Sequence, residues 1–171
     1  MNQQTTYPLI ITLALDKKSQ LYFNQLREKH FPKERNYLSA HLTIFHKLPG
    51  EELSAISQTL TEVSQTNQVL PLEVIKVNSI GRGVAYALES ERLMAIHRHL
   101  SQRWYDWLTP QDRQKLWPHV TVQNKVNPAE AQRALEQLSL SFEPFIAKGT
   151  GLQLWEYRGG PWEFVRIYPF G

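Results

Sequence analysis

The sequence predicts an α+β fold. It is expected to be bilobal, with two similar β-α-β-α-β halves related by a pseudo-two-fold and antiparallel sheets flanking a central groove. Three observations carry that expectation. Strand-like and helix-like patterns alternate along the chain. A block of twenty residues recurs 78 residues later. The composition is that of an ordinary globular domain.

The 171 residues fit a single domain, 1–171, with approximate halves at 7–80 and 84–168. Hydrophobic residues make up 42% and charged residues 20%, which excludes a disordered or collagen-like chain. There is no cysteine, so there is no disulfide framework, thiolate nucleophile or cysteine zinc site. That fits a reducing compartment, and a cytoplasmic location is expected. The 19 basic and 16 acidic residues leave a net charge of +3, which suits an anionic ligand but makes no basic tail. No segment approaches the roughly 18 apolar residues that span a bilayer. The first apolar run is broken by Thr12 and has neither basic residues before it nor a small-residue cleavage site after it. The mature protein is therefore expected to be the whole chain, with no membrane contact.

Tyr7 to Leu15 is rich in Ile, Leu and Thr and reads as a strand. Asp16 caps a helix to about His30, with Leu21, Tyr22, Leu26 and Phe31 expected on its buried side. Charged residues and a proline make 31–39 a loop. HLTIFHKL, 41–48, is a strand stopped by Pro49-Gly50. The helix 51–65 aligns Leu53, Ile56, Leu60 and Val63 in one apolar stripe. Strands follow at 70–80 and 84–88 around Gly81-Arg82-Gly83. Ser90 opens a long helix with Leu93, Ile96, His97, Leu100, Trp104 and Trp107 inward, ended by Thr109-Pro110. HVTVQNKV, 119–126, is a strand and 128–138 a helix. Residues 152–158 and 162–168 make a hairpin around Gly159-Gly160-Pro161.

Laid over each other without a gap, 41–60 and 119–138 share His41/His119, Thr43/Thr121, Lys47/Lys125, Glu52/Glu130 and Leu60/Leu138. Upstream, each copy has a strand ending in Ala-Leu, at 14–15 and 87–88, then a polar cap and a helix. Histidine and threonine are not generic strand filler, so the match points to internal duplication. Alternate residues of a strand share a face. His41, Thr43, Phe45 and Lys47 then point one way, and His119, Thr121, Gln123 and Lys125 do so in the second copy. The opposite faces are mostly apolar and pack on helices. A polar pair needs satisfaction or a cleft. A two-fold between the halves would converge two His and two Thr on one groove.

The motifs His41-Leu42-Thr43-Ile44 and His119-Val120-Thr121-Val122, one per half, resemble those of the two-histidine phosphoesterases. That superfamily includes 2'-5' RNA ligase-like enzymes and cyclic phosphodiesterases. The resemblance of element order covers roughly 7–168. It implies a bilobal fold and metal-independent chemistry on a phosphodiester of a cyclic nucleotide or an RNA end, without a cofactor. It implies His41 and His119 as the catalytic pair, with Thr43 and Thr121 holding the phosphate. Histidine titrates near 6.5, so one copy can accept a proton while the other donates one. Hydroxyls donate to non-bridging oxygens. By analogy His119 is the base and His41 the acid in hydrolysis; near symmetry leaves the reverse open. Water as nucleophile gives hydrolysis and an RNA 5'-hydroxyl gives 2'-5' ligation.

Many RNA ligase-like members carry an arginine after the second motif. Here Gln123 and Asn124 stand there, with Lys125 the nearest cation. Lys47, Lys125 and Arg82 are candidates for the missing charge, as are Arg158 and Arg166. Phe45 and Gln123 are candidate substrate contacts. His97 and His99 lie two apart on a helix and cannot share a metal ion, so no metal site is expected. His46 falls on the apolar face of its strand and is expected as a packed or rim residue. Trp155, Tyr157 and Trp162 offer either a base-stacking platform or hairpin packing. The alternatives are a non-catalytic module that binds a nucleotide or RNA end, and a plain α+β protein with structural His and Thr. A monomer with no obligate protein partner is expected.

Overall fold

The computed structural model describes residues 6–171. Strand β1 (Leu9–Leu15) leads to α1 (Lys17–His30), β2 (Leu42–Leu48), α2 (Leu53–Thr66), β3 (Leu70–Ser79) and β4 (Val84–Glu89). Then follow α3 (Glu91–Arg103), β5 (His119–Gln123), α4 (Pro128–Ser141), β6 (Phe145–Glu156) and β7 (Glu163–Pro169). The strand and helix order agrees with the sequence reading. Helix α3 is shorter than expected: it stops at Arg103, and 105–107 form a separate 3-10 turn. Strand β6 begins at Phe145, well before the expected start at 152.

Two antiparallel sheets are expected from the sequence; hydrogen bonds instead join all seven strands into one. The order is β2-β1-β6-β3-β4-β5, with β7 beside β6. Strand β6 makes the junction. Its Gly149 pairs with Leu15 of β1 and with Leu70 of β3. A residue without a side chain is needed there, because a Cβ would press on Leu70 and Leu13. Residues 7–80 therefore do not make a sheet of their own: β3 lies beside β4 and β6, and β6 lies beside β1.

The sheet curls, so that β2 and β5, the two ends of the order, touch. Helix α1 packs on β5, and α4 on β3 and β4. Helix α3 reaches β2, where His97 and Trp104 meet Phe45. Strand β1 is buried along its whole length and β4 along all but its last residue, which accounts for their near-continuous apolar runs. The one hydroxyl in β1, Thr12, donates to Gln153 Oε1 and accepts from Trp155 Nε1, so its burial leaves nothing unpaired.

Asp16 and Ser90 cap α1 and α3 where the sequence places them, accepting from the backbone N–H groups of Ser19 and Leu93, and Asn127 caps α4 in the same way from Glu130. The inner face of α1 differs from the expectation. Ser19, Phe23 and Arg27 are buried, while Leu21 is 57% exposed. Phe23 packs edge-on to Tyr86 and Tyr22, and Leu26 is only partly covered. A buried arginine at an inner position disguises the helical stripe.

Two bulges matter most for the site. Opposite Ile11 and Thr12 of β1, strand β2 offers Phe45 and Thr43, one residue too many. Opposite Val84 and Ala85 of β4, strand β5 offers Gln123 and Thr121, again one too many. A bulge turns the following residues over. Ile44 and Phe45 are therefore both buried, as are Val122 and Gln123.

Candidate functional site

His41 immediately precedes β2, and His119 opens β5. Their rings are held alike. His41 Nδ1 donates to the carbonyl of Ser39 at 2.9 Å, and His119 Nδ1 donates to that of Trp117 at 2.8 Å. A carbonyl accepts only, so Nδ1 carries the hydrogen in both rings, and Nε2 is left to exchange a proton. His41 lies 4.7 Å from the ring of Trp162, and His119 stacks on Trp117 at 4.2 Å.

Burial pushes the His41 imidazole down to about 4. The bond to Ser39 opposes the shift, and positive charge on Arg27, His119 or His46 deepens it. Burial also lowers His119, against the pull of the Trp117 carbonyl, with His46 adding to the lowering. Both rings thus favour the neutral form in the free protein.

A recess of about 230 Å³ opens beside the pair. Thr43 and His119 share its lining with His46, Asp112, Lys115 and Trp117. His41 and Thr121 are not part of that lining. Both are half-buried, and Thr121 accepts from Arg27 Nη1 through its carbonyl at 3.0 Å. Arg27 also donates to Asn36, lies over the Phe31 ring, and has no carboxylate within ion-pair distance among the described residues. Burial lowers its guanidinium to about 10.

The remaining candidates are placed elsewhere. Phe45 is fully buried and stacks on His97 at 5.1 Å, because the bulge turns it from the groove into the core. Gln123, 2% exposed, is turned inward by the matching bulge, and its Oε1 has no partner among the described residues. Lys47 lines a separate depression with Trp107 and Thr109. Lys125 sits in the turn after β5 at φ 63° and is exposed. Arg82 donates through Nε to the Val126 carbonyl and accepts Val126 N–H through its own, fastening the β3–β4 turn to the end of β5. At neighbouring Gly83 a Cβ would collide with the Gln123 carbonyl. Arg158 pairs with Glu156 and Glu163 within the hairpin. His97 is buried and His99 exposed, as expected.

His46 reverses its expected side. The bulge carries it out of the apolar face and into the recess, where its Nδ1 donates to Asp112 at 3.0 Å. Sequence reasoning missed Asp112, Trp117 and Arg27. Asp112 lies in the irregular stretch between α3 and β5, where no periodicity marks it. Trp117 had one signal: it stands two residues before His119, as Ser39 does before His41.

Trp162 comes from the C-terminal hairpin and contacts His41, while Trp155 packs edge-on to Trp162 and Phe164. Tyr157 is exposed. Among the described residues, no three His, Cys, Asp or Glu side chains gather as a metal-binding group. Nor is any described helix long and apolar enough to cross a membrane.

The model of the 2'-5' RNA ligase superfamily matches residues 15–161. Among solved structures, TT0787 of Thermus thermophilus is 13% identical, with a TM-score of 0.69 over 95% of this chain and 97% of that one. E. coli LigT complexed with 3'-AMP is 18% identical, with a TM-score of 0.61 over 97% and 99%. A structure described as a phosphoesterase is 17% identical, with a TM-score of 0.63 over 97% and 99%. At these identities the likeness is one of fold. No curated protein sequence matches the chain.

Proposed function

The chain belongs to the 2'-5' RNA ligase superfamily, and on that premise we propose that it is a metal-independent phosphodiesterase using His41 and His119 as an acid–base pair. The substrate class is a 2',3'-cyclic nucleotide or an RNA end of that kind. In hydrolysis His119 takes a proton from water as the water oxygen bonds to phosphorus. The bond from phosphorus to O3' breaks, His41 supplies the proton to O3', and a 2'-phosphate is released. Thr43 and Thr121 donate to the non-bridging oxygens. With an RNA 5'-hydroxyl in place of water, the same geometry serves 2'-5' ligation.

The observation that carries this reading is the matched anchoring of the two imidazoles. Each has Nδ1 fixed on the carbonyl two residues earlier, which leaves Nε2 for proton transfer. At neutral pH both rings favour the neutral form in the free protein, so His41 takes up its proton from solvent as an anionic substrate binds, the anion's charge offsetting the cost of burial. The 3'-AMP complex of E. coli LigT supports a nucleotide-shaped ligand for this fold.

Internal duplication belongs to the same proposal. With β1, β2 and β3 matched to β4, β5 and β6, the sheet order reads the same from both ends. Each Thr is followed by the same bulge. The third strand of each half then lies against the first strand of the other, which gives two interlocked lobes.

The test is incubation with 2',3'-cyclic nucleotides and a 5'-hydroxyl RNA, with EDTA present. A 2'-phosphate product supports the enzyme; binding without turnover favours the non-catalytic module. Loss of activity with EDTA overturns the metal-independent mechanism.

A further inference from the structure

Asp112 is 4% exposed and accepts three N–H groups. The backbone N–H groups of His46 and Lys47 lie at 2.9 Å from it, and His46 Nδ1 at 3.0 Å. Burial alone would raise its carboxyl. The bonds from the His46 ring and from the two backbone groups outweigh burial and hold it below the ordinary carboxylate range. The carboxylate is thus built for one imidazole and for the strand segment that carries it.

That imidazole faces the recess. Its Nε2 has no protein partner among the described residues, and the side chain is 39% exposed. Thr43 and His119 line the same recess. The other titratable groups there are Lys115 and the buried His97, whose ring rests on Phe45 and whose Nε2 meets Ser101. The one carboxylate of the lining is occupied by His46. The wall therefore offers hydrogen-bond donors and one lysine to a ligand and no free carboxylate, which suits a phosphate oxygen.

We infer that His46, oriented by Asp112, is a third substrate-contacting imidazole that donates through Nε2 to a non-bridging oxygen of the phosphodiester. It supplies from β2 an N–H donor where the second motif lacks a cation after Thr121. Asp112 is a positioning residue: its bond to Nδ1 fixes the ring's tautomer and orientation. The inference rests on the phosphodiester chemistry proposed above.

The experiment compares wild type with His46→Gln in two assays at fixed pH. In turnover of 2',3'-cyclic AMP, KM rises about tenfold while kcat changes by less than about threefold, as expected for loss of one charge-assisted donor to a bound anion. An unchanged KM, with turnover intact, overturns the role of His46 and leaves the proposed function standing. In the second assay inorganic phosphate is titrated while the ring nitrogens are followed by NMR. The His46 Nε2 resonance moves with saturation in wild type, and phosphate binds more weakly in His46→Gln. If the wild type turns over no cyclic nucleotide, the proposed function fails, and the phosphate titration alone decides the inference: a static His46 resonance overturns it.

Discussion

The imidazole of His119 lies flat on the indole of Trp117, with ring centroids 4.2 Å apart and planes 16° from parallel. The same residue's carbonyl accepts from His119 Nδ1. One residue thus supplies a stacking surface and a fixed tautomer. Trp117→Ala removes the surface but keeps the carbonyl. Water reaches the ring, desolvation weakens, and the His119 pKa rises toward 6.5. NMR titration of the ring measures the rise. An unchanged value shows that Trp117 does not shield His119.

The pH dependence of kcat/KM follows from the two imidazoles. Turnover requires one proton shared between them. Both sites lie below the ordinary 6.5, with His41 near 4. The singly protonated pair is therefore most abundant at acidic pH, and kcat/KM is expected to be bell-shaped with its maximum above about 4 and below the ordinary histidine value. A maximum above about pH 7.5 contradicts the burial argument.

Stability responds to pH through the same groups. In the unfolded chain His41 takes up a proton near 6.5, whereas in the folded protein it does so near 4. Between those values the unfolded state binds more protons, so stability falls as pH drops through the window. His119, His97 and His30 are lowered too and act in the same sense. Urea unfolding at pH 7 and at pH 5 measures the loss. His41→Gln reduces the difference, since each pKa unit removed is worth about 1.4 kcal/mol.

Phe45 separates folding from chemistry. Its ring is fully buried against His97 and Trp104. Phe45→Ala is expected to cost about 3–5 kcal/mol, whereas Phe45→Leu refills most of the space and keeps KM near wild type. Thermal unfolding with substrate kinetics distinguishes this from the sequence-based placement, in which Phe45 contacts substrate from the groove face and both variants raise KM.

Strict alternation explains what was legible in the sequence and what was not. His41, Thr43, His119 and Thr121 precede the bulges, so the period of two holds there: each His and its Thr are half-buried on either side of a buried residue. Phe45, Gln123 and His46 follow the bulges and are turned over, and no residue type at 44 or 122 announces the extra residue. Fold class and the order of elements along the chain come from apolar runs and caps, which are local. The pairing of β6 with β1 and with β3 is set by contacts far apart in the chain, which periodicity does not carry. Arg27 was hidden because a buried guanidinium satisfied by Asn36, the Thr121 carbonyl and the Phe31 ring looks like an exposed helix residue when only the sequence is read.

The central claim is that His41 and His119 carry the proton transfers, and turnover by single-alanine variants tests it most directly. Hydrolysis of 2',3'-cyclic nucleotides is measured for wild type, His41→Ala and His119→Ala, with EDTA present and folding verified by circular dichroism. Each variant is expected to lose about 10²- to 10⁴-fold in kcat, the range for a missing general acid or base, and the double variant to lose little more. Turnover near the wild-type rate in either folded single variant would contradict the account.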